Sequence, residues 1–232
     1  MKTALILSGH LRTFENNVNE FNQIADDYNA DVFIETWEKL GFWTDKDFGK
    51  KNDLGFEDIS DDVTQDDVKN IKNLKYVNID IYENYKDKIL NESLIYETSK
   101  IEYVRVPNII SQWYKRWKIL NYIKENYIYD FLILTRPDVN LLLSNNINMD
   151  VMTLSNAYTS HDGFTDILFI GPTNYIMAMG ELYPRMSECI KDNVIFSGHS
   201  IVKWWIEKNS IPYMINSYNL KLINTPGGYC KK

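Results

Sequence analysis

An α/β protein with a mostly parallel, mixed sheet flanked by helices is the fold class this sequence predicts. Short apolar runs bounded by polar turns recur along the chain, as expected of strands buried on both faces. Between them lie longer stretches with apolar residues at three- and four-residue spacing, the mark of helices covering a sheet. The later part alternates less regularly, which favours a mixed sheet over a purely parallel one. At 232 residues, the chain is expected to form one domain, 1–232.

The elements follow in order. "TALILS" (Thr3–Ser8) reads as a buried strand, and Phe14 to Tyr28 as a helix with Phe14, Val18, Phe21 and Ile24 on one face. "ADVFIETW" (Ala30–Trp37) is the second strand. Glu38 to Val63 is irregular, with Gly41, Gly49, Gly55 and many acids. Thr64 suits an N-cap, and Asp66 and Asp67 suit the first turn of a helix running to about Leu74. "YVNIDIY" (Tyr76–Tyr82) alternates like a third strand. The longest helix is expected from Pro107 to about Tyr127, with Ile110, Trp113, Tyr114, Trp117 and Leu120 in register. Asn121 interrupts that stripe, and Gln112, Lys115 and Arg116 point off it.

"FLILT" then opens a strand that stops at Arg136-Pro137-Asp138. "DILFIGP" (Asp166–Pro172) is a further strand. The helix after it carries Tyr175, Met179, Leu182, Tyr183, Met186 and Ile190 on one face. A short helix near Ser200–Lys208 and a strand at Ile211–Tyr218 complete the pattern.

Composition narrows the function classes. With 44% hydrophobic and 25% charged residues, the chain is ordinary for a soluble globular protein. Its formal net charge of −7 argues against a general electrostatic grip on nucleic acid. A small anion held by one or two arginines remains compatible. No apolar run approaches a membrane span, and "MKTALILSGH" is too short in its apolar part for a signal peptide. The two cysteines, Cys189 and Cys230, show no metal-ligand spacing. A reduced, cytoplasmic location is therefore expected, with Cys189 as a small buried hydrophobe.

Four loops carry chemistry-bearing residues. In "SGHLRTF" (Ser8–Phe14), Gly9 can bring backbone close to a ligand, and Arg12 can meet phosphate bidentately. A tight strand-to-helix connection with Thr13 as N-cap explains the same residues equally well. The loop lacks the glycine spacing of a dinucleotide fingerprint and the lysine of a P-loop. At Arg136-Pro137-Asp138, the aspartate suits a hard cation and the arginine a phosphate; a structural ion pair ending a strand is the plainer alternative. "HDGFTDILFIG" offers His161, Asp162 and Asp166, although Asp162-Gly163 is also a common turn dipeptide. His199 precedes an aromatic helix, where a capping or core role is the commoner fate. His10, His161 and His199 are the chain's three histidines, and each lies in one of these loops. The acidic run Glu57–Asp67 reads as a solvated loop and a favourable helix start.

"ALILSGHLRTF", "SQWYKRWKIL", "YDFLILTRPDVNL" and "DILFIGPTNYIMAMGELY" stand in an order that resembles bacterial and viral glycosyltransferase-like proteins of polysaccharide and glycan gene sets. Those proteins look like members of the nucleotide-sugar-dependent GT-A class. The resemblance spans most of the chain outside roughly Glu38–Lys100. It implies a GT-A-like, Rossmann-like architecture, with a nucleotide-binding half over about 1–140 and an acceptor-side half over about 141–232. It places Arg136-Pro137-Asp138 where the family has a DxD motif, in which two aspartates hold a divalent metal on the sugar-nucleotide diphosphate. Arg136 departs from that motif and puts metal dependence in question.

On this resemblance the chain is expected to move a sugar from a nucleotide-sugar donor to a glycan or other hydroxyl acceptor. Ser8, Gly9, His10, Arg12, Arg136 and Asp138 would hold the donor, Asp138 with His199 would hold Mn²⁺ or Mg²⁺, and Arg136 and Asp166 would act in catalysis. Asp166 is the candidate general base or acceptor contact. Trp113, Trp117, Trp204 and Trp205 suit sugar stacking, although core packing explains most of the aromatic content. Two other readings stand beside this one: an inactive nucleotide-sugar-binding module, and a phosphoryl-transfer enzyme using the SGHLRT loop.

Overall fold

Every residue of β1 (Thr3–Ser8) is buried, which a strand achieves only when helices cover both faces of its sheet. The computed structural model describes residues 1–39, 62–96, 106–143, 147–156 and 163–222. After β1, a 3-10 turn at Phe14–Asn17 leads into α1 (Val18–Asp27) and β2 (Ala30–Trp37). A 3-10 helix (Gln65–Val68) precedes β3 (Leu74–Asp80), α2 (Glu83–Leu94) and α3 (Val106–Asn126). Then come β4 (Phe131–Thr135), β5 (Val139–Leu142), β6 (Met152–Ser155) and β7 (Leu168–Pro172). The chain continues through α4 (Thr173–Gly180), α5 (Leu182–Arg185), α6 (Glu188–Lys191) and α7 (Gly198–Lys208) to β8 (Tyr213–Asn216) and β9 (Asn219–Leu222).

Seven strands form the main sheet in the order β3-β2-β1-β4-β7-β6-β8, while β5 and β9 pair separately. The β3, β2, β1 and β4 strands run parallel. β7 is antiparallel to both β4 and β6, and β8 is parallel to β6. The expected mostly parallel, mixed sheet is therefore present, and the fold is Rossmann-like.

Alternation within the strands divides the core. Ala4 and Ile6, with Leu132 and Leu134, face a cluster containing Trp113, Ile119, Ile176 and Trp205 from α3, α4 and α7. Leu5 and Leu7, with Phe131 and Ile133, face a second cluster under Phe21, Ile24 and Ala25 of α1. A period of two puts successive side chains on opposite faces, so both core layers derive from the same strands.

Several expected elements differ. The helix from Thr64 to Leu74 is only the 3-10 turn, closed by Asp67 accepting from the Thr64 amide at 2.6 Å and hydroxyl at 2.9 Å. The third strand starts and ends two residues earlier than its alternation suggests. The long apolar helix after β7 is divided into α4, α5 and α6 around Gly180 and Pro184. Glycine favours a helix end, and proline cannot supply the amide of a continuing helix. Cys189 is buried in α6, as expected. His161, Asp162 and Cys230 lie outside the described residues. Among those residues, no helix is long and apolar enough to cross a membrane.

Candidate functional site

Strand β1 connects through α1 to β2 on one side, whereas β4, later in sequence, lies against its other side. The carboxyl ends of β1 and β4 thus flank a topological switch point, where crevices form in open α/β sheets. Register places Leu7 opposite Thr135, so the loops Gly9–Thr13 and Arg136–Asp138 leave the sheet side by side. Gly9 adopts φ +130°, a conformation suited to glycine; a Cβ there would stand 3.7 Å from Pro137 Cδ. Asn17 clamps the two loops, donating to Pro137 O at 3.1 Å and Thr13 O at 3.4 Å.

At the crevice, Asp138 accepts from two arginines. Arg136 donates from Nε at 2.8 Å and Nη2 at 2.6 Å, and Arg12 donates from Nη1 at 3.0 Å. Arg12 reaches it from a backbone at φ 23°, a costly conformation for a non-glycine residue and one that concentrates at functional sites. The arginine side chains are 13% and 16% exposed, and that of Asp138 is 5% exposed. Burial would raise the Asp138 pKa, but Arg136 and Arg12 outweigh it and hold the carboxyl at about 2.

From an unfolded value of 3.8, the Asp138 contribution is complete above about pH 4 and fades as pH falls through about 2. A shift of this size corresponds to about 2 kcal/mol. In urea titrations, wild type should lose stability more steeply than Asp138→Asn between about pH 4 and 2. Equal slopes would show that the carboxylate is not held this way.

Asp166 and His199 form the opposite wall. Because β7 is antiparallel to β4, its first residue, Leu168, pairs with Thr135, bringing Asp166 to the same sheet edge. His199 Nε2 lies 3.5 Å from Asp166 Oδ1. A Cβ on Gly198 would stand 2.8 Å from Asp166 Oδ2, so the carboxylate rests against the first residue of the 11-residue α7. A helix N-terminus favours such an anion. Burial pushes its pKa up, but the His199 hydrogen bond and the charge of Arg116 prevail and hold it below the usual range. So firm a carboxylate is a weak general base and a strong hydrogen-bond acceptor.

The remaining expected residues fall nearby. Ser8 is fully buried, and neither Ser8 Oγ nor Thr135 Oγ1 has a hydrogen-bond partner among the described residues. His10 Nδ1 donates to Lys39 O at 3.1 Å. Burial and then Arg12 lower its pKa to about 3, so the ring is neutral at physiological pH. Trp113 and Trp205 are core residues, not exposed stacking platforms.

The resemblance implies a divalent cation on Asp138 and His199. Hard cations require available oxygen ligands, yet both Asp138 oxygens accept from guanidiniums and His199 pairs with Asp166. Among the described residues no group of three or more His, Cys, Asp or Glu is placed to hold a metal ion. Among the described residues around the crevice, the guanidiniums of Arg12, Arg116 and Arg136 outnumber the carboxylates of Asp138 and Asp166. This donor set fits an anion and does not fit a cation.

Helix α3 supplies residues whose roles the sequence did not disclose. Arg116, fully buried, donates to the Asp166 carbonyl and lies 4.5 Å from the Trp113 ring centroid. Burial lowers its pKa to about 10, leaving it charged at neutral pH. Lys115 Nζ donates to Glu35 Oε1 at 2.9 Å, Asp80 Oδ2 at 2.7 Å and Thr36 O at 2.5 Å. Lys118 adds two bonds of 2.6 Å to Asp80. Glu35 within an apolar strand was the one sequence signal for this network, because a buried carboxylate requires a partner. No protein-family model and no curated protein matches this chain.

Proposed function

We propose that the chain is a nucleotide-sugar-dependent glycosyltransferase with its donor site at the crevice between β1 and β4. The observation that carries this reading is the Arg12–Asp138–Arg136 cluster at the carboxyl ends of two parallel strands, at the switch point of a Rossmann-like half. The motif resemblance supplies the reaction class. As the anomeric bond breaks, negative charge grows on the departing nucleoside diphosphate, and fixed guanidiniums stabilise it more than they stabilise the intact donor. Arg136 and Arg12 fill this role. Asp166 receives a hydrogen bond from the acceptor hydroxyl and orients His199 through their 3.5 Å contact.

A thermal-shift screen of nucleoside diphosphates and nucleotide sugars tests the donor site; a ligand at 100 times its Kd stabilises by about 2.7 kcal/mol. Transfer to sugar acceptors is then measured with the donor that binds. Asp166→Asn should reduce transfer far more than donor affinity. Equal losses in both would place Asp166 on the donor side, and normal transfer would remove it from the reaction. The saturation of Asp138 by arginines also supports a second reading, a binding module without turnover. Donor binding with no transfer to any acceptor would favour it. The phosphoryl-transfer reading requires stabilisation by nucleoside triphosphates instead.

A further inference from the structure

We infer that Asp138 serves as a tether that presents two guanidiniums, and that the crevice binds a diphosphate without any divalent cation. This rests on the proposed donor site and specifies how that site recognises its ligand. Arg136 commits its Nε and Nη2 to Asp138, and Arg12 commits its Nη1. A guanidinium carries five N–H donors, so Asp138 fixes the planes of both groups without exhausting them. Both arginine side chains retain some exposure, while the tethering carboxylate is almost wholly covered. That is the reverse of a metal site, where the carboxylate faces the ion and cations stay away.

The neighbouring charges agree. The second ionic set, Glu35 and Asp80 with Lys115 and Lys118, balances itself through its own contacts. Among the described residues, the cluster itself therefore sets two guanidiniums against the one carboxylate of Asp138. A diphosphate offers oxygens at a spacing that two guanidiniums can engage in forked hydrogen bonds. Asn17, holding both loops through Thr13 O and Pro137 O, keeps the two arginines in fixed relation before any ligand arrives.

The test uses the full chain, with inorganic pyrophosphate and the uridine, guanosine, cytidine and adenosine diphosphates as probes. Dissociation constants are measured by calorimetry in excess EDTA and again in excess Mn²⁺. The expected result is binding in EDTA that Mn²⁺ changes by less than about threefold. Arg136→Ala and Arg12→Ala should each weaken the EDTA-state binding about tenfold or more. Asp138→Asn, which removes the charge that tethers both guanidiniums, should weaken binding by the same factor in EDTA and in Mn²⁺; a loss seen only in Mn²⁺ would make Asp138 a metal ligand and overturn the inference. Binding that requires Mn²⁺ in the wild-type protein would overturn the inference while leaving the donor site intact. Absence of binding to every probe under both conditions would remove the proposed donor site, and this inference with it.

Discussion

Lys115→Met is expected to destabilise the protein by about 3–5 kcal/mol, the cost of removing one partner from a buried ionic cluster. Lys115 and Glu35 are both 0% exposed, and three hydrogen bonds hold the ammonium. Methionine fills similar volume but leaves Glu35 without its main counter-charge. Lys118 is 3.6 Å from Glu35 Oε1 and bonds chiefly to Asp80, so it is a weak substitute. Burial already pushes the Glu35 pKa up, and loss of Lys115 raises it further. The variant should thus become relatively more stable as pH falls and Glu35 takes a proton, opposite to the trend expected from Asp138. A second change, Glu35→Gln, should restore part of the loss because it removes the stranded charge. For a chain of this size the single change should lower the melting temperature by roughly 6–20 °C. A shift within 2 °C would mean that the network contributes little and that α3 is held by its apolar face alone.

The largest expected effect on activity belongs to Arg136→Ala, which should reduce transfer by about 10²–10³-fold, the scale of losing a preorganised donor to a developing negative charge. Donor affinity should fall as well, because the same guanidinium meets the ground-state diphosphate. Arg136→Lys should recover little: a lysine supplies a point charge, whereas the geometry at Asp138 is a two-bond fork of 2.8 and 2.6 Å. The stability of Arg136→Ala is informative too. Asp138 would keep only its 3.0 Å bond from Arg12, so its carboxyl should titrate higher. A double-mutant cycle of Arg136→Ala with Asp138→Asn should show strong coupling in stability. Unchanged donor affinity and turnover in Arg136→Ala, with only stability reduced, would make the cluster a strand-end ion pair and nothing more.

The parts of the fold legible in the sequence were those with one dominant physical signal. The β1, β2 and β4 strands are short apolar runs buried on both faces, and α3 spans 21 residues with a recurring apolar stripe. The α2 helix was not legible because "ENYKDKILNESL" buries only Ile89 and Ser93, too little for a visible stripe. The four-residue β5, β6 and β9 strands owe their existence to pairing partners far along the chain. Within the site, Arg12, Arg136 and Asp138 were legible because each lies in the loop that follows a core strand, where ligands gather. The pairing of Arg136 with Asp138, two residues apart, was legible as a strand-end ion pair; the bond from Arg12 was not, since 126 residues separate it from Asp138. Arg116 and Lys115 read only as polar residues beside an apolar stripe, because their partners lie 50 and 80 residues away. Sequence spacing on α3 shows which face each side chain takes, but not which strand end crosses beneath it.

A crystal structure of the chain with a bound nucleoside diphosphate tests the arginine-held donor site most directly. The diphosphate is expected at the carboxyl ends of β1 and β4, its oxygens about 3 Å from the guanidinium nitrogens of Arg12 and Arg136. A nucleotide bound elsewhere on the protein, with Arg12 and Arg136 still closed on Asp138 and touching no phosphate, would contradict it.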